Sequence, residues 1–280
     1  MTLNDIYHAI DPVALSLGPL QIRWYGLAYV AGFICAFLVI AKLSQRWKIR
    51  INDDAFFTVV FCVIFGVILG GRLGYVLVYG DGYYLQHPEK ILAFNEGGMS
   101  FHGGLVGVII GGVIAAKITK IPFLTLADMG VVGVPIGLFF GRCANFINGE
   151  LWGAPTDMPW GVVFGGAAGT MPRHPSQLYE ALLEGVVLFI ILFALSRKTP
   201  ARPRGTFFGT FLLFYGLFRF TIEFIRQPDA QIGYLLGTHW FTMGQALSIP
   251  LMVAGVVFLI YAWKTKKPQM GLPDSEISQS

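Results

Sequence analysis

Seven stretches of the chain are long apolar runs, and the polar and charged residues gather between them: about 24–44, 55–79, 102–117, 124–140, 175–196, 206–225 and 241–263. About 20 apolar residues in a helix cross a hydrocarbon core of about 30 Å. The pattern therefore predicts an all-α integral membrane protein with seven transmembrane helices, in one integral domain over residues 1–280. The third and fourth runs are short, and tilt, local thinning or burial in the bundle accommodates them. Gly66, Gly70 and Gly74 on the second run and Gly103, Gly107 and Gly111 on the third recur every four residues. Such small-residue stripes predict close backbone approach between helices. Internal repeats and low-complexity segments are not evident.

The charges give that pattern a direction. Short loops rich in lysine and arginine stay in the cytoplasm. Thirteen of the twenty basic residues follow runs one, three, five and seven: Lys42, Arg46, Lys48, Arg50, Lys117, Lys120, Arg197, Lys198, Arg202, Arg204, Lys264, Lys266 and Lys267. With seven spans this predicts an N-terminus outside and a C-terminus in the cytoplasm. Residues 141–174 then form a small outer polar segment and 268–280 a cytoplasmic tail, which reads as disordered. Six of the other seven basic residues are arginines, Arg23, Arg72, Arg142, Arg173, Arg219 and Arg226, with Lys90 the seventh. A fixed, forked cation suits a phosphate better than a point charge does, so this bias points to an anionic ligand at the outer leaflet.

Composition agrees with a lipid solvent: 55% hydrophobic residues, 13% charged and a formal net charge of +4. No basic run suggests nucleic acid. Cys35, Cys62 and Cys143 show neither CxxC nor His-rich spacing, so neither a disulfide framework nor a metal site is indicated. The first residues lack a basic n-region and a small-residue cleavage site, so they do not read as a removable signal peptide.

Ionisable residues at membrane depth are costly and tend to be paired and functional, and here they form groups. His102 stands where an outer loop meets the third run, as a candidate general base or a helix-start histidine. Arg142, Asn145, Asn148, Glu150 and Gly153 follow the fourth run; if the stretch starts helically, Arg142 and Asn145 share a face at i, i+3. Gln177, Glu180 and Glu184 share a face of the fifth run, where carboxylates would orient arginines from other helices. Tyr215, Arg219 and Glu223 recur at i, i+4, i+8 on the sixth, followed by Arg226. The Arg219–Glu223 pair fits a self-neutralising ion pair as well as ligand binding. Arg72 and Tyr25 complete the set, and Trp24 with Tyr25 also fits an interfacial aromatic belt.

The strings WYG at 24–26, GGRLGYV at 70–76, SFHGGL at 100–105, GRCANFINGELWG at 141–153, RHPSQLYE at 173–180 and RFTIEFIRQPD at 219–229 resemble, in that order, the prolipoprotein diacylglyceryl transferase family. The resemblance runs from about residue 10 to 265. It implies a seven-helix, multi-pass protein of the bacterial plasma (inner) membrane that uses no cofactor. It also implies a reaction in which the diacylglyceryl group of phosphatidylglycerol passes to the lipobox cysteine of a preprolipoprotein. By motif match, His102, Arg142 and Arg219 take the catalytic positions. Tyr25, Asn145, Glu150, Gly153, Tyr215 and Glu223 take supporting positions, and Arg72, Asn148 and Arg226 stand beside them as substrate-binding candidates. In this scheme Glu150 and Glu223 hold the arginines in position. A lipid or anion transporter would also place arginines and broken helices at membrane depth, but it calls for inverted repeats, which the chain lacks. A structural scaffold would not need His102, Arg142 and Arg219 in glycine-rich settings.

Overall fold

The computed structural model describes residues 2–18, 20–80, 82–93, 97–228 and 233–273. Its elements are α1 (Leu3–Ala9), a hairpin of β1 (Val13–Leu17) and β2 (Leu20–Arg23), α2 (Trp24–Trp47), α3 (Asp53–Tyr79) and α4 (Tyr83–Gln86). There follow α5 (Phe101–Thr119), α6 (Phe123–Asn148), α7 (Ser176–Glu180), a π-helical segment (Ala181–Val187), α8 (Leu188–Ser196), α9 (Thr206–Ile222) and α10 (Met243–Thr265). Among the described residues six helical stretches are long and apolar enough to cross a membrane, with α7 to α8 forming one of them; α9, apolar over 17 residues, is shorter. Large apolar side chains such as Phe33, Leu77 and Trp263 are exposed, while Arg72, Glu180 and Glu184 are buried. That inversion of the soluble pattern suits a lipid surround.

The chain divides into two compact units, Met1–Leu43 with Asp128–Pro268 and Ser44–Ala127 with Gln269–Ser280. In the second unit α3 starts at a capped end, where the Asn52 side chain accepts from the Ala55 amide at 2.9 Å and Asp53 and Asp54 occupy the positive first turn. The two glycine stripes pack α3 on α5. A Cβ on Gly66 or Gly107 would land on the other's backbone, and one on Gly70 or Gly103 would do the same. A side chain at Gly107 has no flexible neighbour to displace, so Gly107→Val is expected to destabilise the fold by about 1–3 kcal/mol or more. Thermal unfolding in detergent checks this against Gly104→Val, where an added Cβ meets Val67 only at 3.7 Å; equal melting temperatures for the two variants would refute it.

The tail departs from the sequence reading. The Leu272 amide donates to the Arg50 carbonyl at 2.8 Å, and Leu272 joins an apolar cluster with Ala55 and Ile121. A single leucine in a polar tail carries no periodic signal, so its burial was not legible. Residues 274–280 of the predicted tail lie outside the described residues.

In the first unit, α9 and α10 also meet through glycines: a Cβ on Gly209 would sit 2.9 Å from the Gly255 carbonyl and one on Gly216 3.0 Å from the Ser248 carbonyl. Asp128 of α6, fully buried, accepts from the Gly205 and Phe208 amides at 2.7 Å each. It caps α9 from another helix, because Gly205 has no side chain with which to do so. The all-α expectation omitted the β1–β2 hairpin, in which Val13 pairs with Arg23 and Ser16 with Gln21, and the short α1. The Asn4 side chain of α1 accepts from the Val163 amide at 2.9 Å, and Tyr7 packs edge-on against Phe146 and Phe164.

Candidate functional site

Helix α6 does not stop where its apolar run stops. It continues from residue 140 to Asn148, because Arg142, Cys143, Ala144 and Asn145 are compatible with helix and hydropathy registers only polarity. The polar segment therefore begins with two more helical turns, and Arg142 and Asn145 do lie on one face. The helix ends at Gly149 and Leu151, both with positive φ (68° and 58°). There the Glu150 amide donates to the Asn145 carbonyl at 3.1 Å.

Opposite α6 runs α7 with the π-helical segment. Gly185 permits close contact, since a Cβ there would lie 3.0 Å from the Phe139 Cα. One turn beyond that contact Arg142 meets two fully buried carboxylates: its Nε lies 2.6 Å from Glu180 Oε2 and its Nη2 lies 3.7 Å from Glu184 Oε2. From α9, Arg219 Nη1 reaches Glu180 Oε1 at 3.5 Å, and its Nη2 pairs with Glu223 Oε1. Arg226 Nη1 lies 3.7 Å from the same Glu180 oxygen, and its Nε is 3.9 Å from Glu223. Thr242 donates its hydroxyl to Glu223 Oε2 at 2.6 Å. Three guanidinium groups from three parts of the chain thus converge on Glu180, each keeping 12–17% of its side chain exposed. Arginines tethered on one edge and open on another are arranged to take an anion.

The Glu150 carboxylate meets side-chain amides where arginines were expected. It accepts from the side-chain amides of Asn145 at 2.8 Å and Asn148 at 3.4 Å, while the Gln177 amide donates to the Glu150 backbone carbonyl at 2.6 Å. The close pairs to the arginines are made by Glu180 and Glu223, with Glu184 farther off at 3.7 Å from Arg142. The i, i+4 acids on the fifth apolar run were the signal for this, although sequence alone could not say that Glu180 is the common partner.

Gly153 lies where backbones close in. Its amide donates to the His174 carbonyl at 2.9 Å and it bridges to Arg226. An added Cβ would come within 2.7 Å of both the His174 side chain and the Ile225 carbonyl. Burial pulls the His174 imidazole below the ordinary histidine range. Its Nδ1 lies 3.2 Å from the Tyr179 hydroxyl, which accepts from the Trp160 indole at 2.6 Å. Arg173 stacks over Trp152 at 4.3 Å and donates to the Ala168 carbonyl at 2.8 Å, so it ties the polar segment together.

The remaining candidates fall as follows. Tyr25, on the first turn of α2, has its hydroxyl 3.1 Å from that of Tyr29. Tyr215 stacks on Phe211 one turn before Arg219 and lies within electrostatic reach of Glu184. His102 belongs to the second unit, exposed on the first turn of α5 just after the Ser100 cap. Arg72, also in the second unit, was expected to contact ligand but is 1% exposed. Its guanidinium donates to the carbonyls of Ile91 at 2.8 Å, Lys90 at 2.7 Å and Gly98 at 3.2 Å, and to that of Gly97. Those donors hold the loop after α4, and carbonyl partners have no sequence signature that could have announced it. Asp229 of the sixth motif lies outside the described residues.

Residues 12–261 match the family model described as prolipoprotein diacylglyceryl transferase. The chain is 52% identical over 257 residues to the phosphatidylglycerol--prolipoprotein diacylglyceryl transferase of Geobacter sulfurreducens, covering 92% of this chain and 97% of that protein. It is 51% identical over 265 residues to the protein of that name from Oleidesulfovibrio alaskensis (93% and 96% covered) and 46% identical over 279 residues to that from Rhodopseudomonas palustris (96% of each).

Proposed function

This chain belongs to the prolipoprotein diacylglyceryl transferase family, and on that premise we propose that it moves the diacylglyceryl group of phosphatidylglycerol to the lipobox cysteine of preprolipoproteins. A thioether forms and glycerol phosphate leaves. The observation that carries this reading is the convergence of Arg142, Arg219 and Arg226 on Glu180.

The chemistry needs such a cluster. The cysteine sulfur attacks the glyceryl C3 and the C3–O bond breaks, with its electron pair passing to the phosphate oxygen. A phosphodiester with one negative charge leaves as a monoester approaching two. Guanidinium groups fixed beforehand on that phosphate stabilise the transition state more than the bound lipid, which is the condition for catalysis rather than binding alone. Arg142 and Arg219 take this role, and Arg226, Tyr215, Tyr25, Asn145 and Asn148 bind the headgroup. Glu223 and Glu180 orient the arginines. Glu150 orients the amides, and Gly153 keeps the polar segment closed against Arg226. A thiol with a pKa of about 8.5 is mostly protonated at neutral pH, and His102 takes its proton. The lipid is itself the activated donor, so the scheme requires no cofactor.

The same reading sets the protein in the bacterial inner membrane with seven spans, α9 included, its N-terminus outside and C-terminus in the cytoplasm. The thirteen basic residues after alternate apolar runs support this orientation. The test is to incubate the purified protein with phosphatidylglycerol and a lipobox peptide. Mass spectrometry should find a diacylglyceryl increment on the cysteine, and its absence would reject the reading. His102→Gln is expected to lower transfer by about a hundredfold or more; full transfer by that variant would reject the histidine as base and leave the phosphate role standing.

A further inference from the structure

The charges of the arginine cluster balance before a ligand arrives. Arg142, Arg219 and Arg226 bring three positive charges, and Glu180, Glu184 and Glu223 bring three negative ones. An arriving phosphodiester would leave an uncompensated negative charge beside buried carboxylates, where charge is poorly screened. One acid in the set is held far less well than the others. Glu180 has three guanidinium partners, the nearest at 2.6 Å, and Glu223 has Arg219 and the Thr242 hydroxyl. Glu184 is fully buried, and among the described residues its ion pair is with Arg142 alone, at 3.7 Å. The groups facing it are Arg142 on α6, Glu180 on α7, Tyr215 and Arg219 on α9, and Arg226 beyond α9. With Glu180 four residues away and its cation at 3.7 Å, Glu184 is the acid whose charge the cluster compensates least closely.

We propose that Glu184 carries a proton when the lipid headgroup binds, leaving the cluster at a net charge of +1 to receive one phosphodiester charge. The inference rests on the reading of this cluster as the phosphate site. Glu184 is on this view a positioning residue. Ionised, it competes with the phosphate for Arg142; protonated, it releases that guanidinium toward the lipid. The proton comes from water as phosphatidylglycerol binds and returns to water when glycerol phosphate departs.

The consequence is a pH-dependent KM for phosphatidylglycerol, separable from the effect of pH on the thiol, which acts through kcat. With saturating lipobox peptide and vesicles of phosphatidylglycerol in phosphatidylcholine, the wild-type KM should rise with pH, by up to about tenfold per unit once the proton is lost from the free protein. In Glu184→Gln, which mimics the protonated acid, KM should stay near the wild-type low-pH value throughout. Glu184→Asp should keep the pH dependence. At a pH where the free protein is ionised, infrared difference spectra of the wild type on addition of phosphatidylglycerol should show a protonated-carboxyl carbonyl band that shifts in heavy water, as the lipid ester carbonyls do not, and that is absent in Glu184→Gln. The spectrum of the wild type decides the matter even if the variant fails to fold. A pH-independent wild-type KM, a Glu184→Gln variant that keeps the wild-type pH dependence, or no such band would overturn the proposal while transfer itself continued. If the wild type produced no diacylglyceryl peptide at any pH, the functional reading would fail and this inference with it.

Discussion

Arg219→Lys is expected to lower diacylglyceryl transfer by about a hundredfold or more, in the range found for loss of one preorganised donor to a developing charge. Lysine keeps the positive charge but not the planar fork, and at this position the fork is in use: one nitrogen reaches Glu180 at 3.5 Å and the other pairs with Glu223. A lysine ammonium can satisfy one of those acids or the lipid phosphate, but it cannot be held by both acids with a further face turned to the lipid. The fall should lie mainly in kcat, because the interaction strengthens as the leaving phosphate gains charge. The assay is transfer from labelled phosphatidylglycerol to a lipobox peptide, with kcat and KM resolved. A raised KM with kcat intact would mean that Arg219 only binds lipid.

The second large effect is expected at Glu180→Gln. Glu180 is fully buried and is, among the described residues, the one acid shared by Arg142, Arg219 and Arg226. Removing its charge leaves three cations to share Glu184 and Glu223, and breaking a buried pair from one side costs about 3–5 kcal/mol. The variant should therefore melt well below the wild type in detergent and lose transfer in whatever fraction remains folded. Glu150→Gln gives the contrast. Its partners are the side-chain amides of Asn145 and Asn148 in an exposed setting, which a neutral amide can still meet, so its melting temperature should fall much less. Equal losses of stability in the two variants would show that Glu180 is not the hub.

These two acids also mark how far the chain could be read without coordinates. The glycine stripes of α3 and α5 were legible because helix contact at close range needs small residues at four-residue spacing, and few other constraints produce that pattern. The shared face of Arg142 and Asn145 was legible for the same geometric reason, i, i+3 on a helix. Their helix end was not, since hydropathy reports solvent preference and α6 continues through residues that are polar yet helix-compatible. Partner identity was harder still. Glu150 and Glu180 are both carboxylates near arginines in the sequence, and only tertiary packing decides that one meets amides and the other guanidiniums. Arg72 makes the point from the other side: an arginine in a glycine-rich motif resembles a ligand group, yet its donors go to the carbonyls of Lys90, Ile91, Gly97 and Gly98.

The π-helical turn at Ala181–Val187 bears on how this protein could tolerate a change in length. Such a turn holds one residue more than a regular helix of the same height. Deleting a single residue within it would leave a continuous helix and the apolar content needed to cross the bilayer. Its loss would also leave Gln177 and Glu180 in nearly their present register relative to Leu188 and Leu192, because the segment would then be a regular helix of the same height. A deletion in the regular turns of α8 is different, since it rotates everything before it by about 100° relative to everything after it. A one-residue deletion within Ala181–Val187 should thus leave Glu180 beside the arginines, whereas one in α8 should yield a protein that inserts but has lost its anion site.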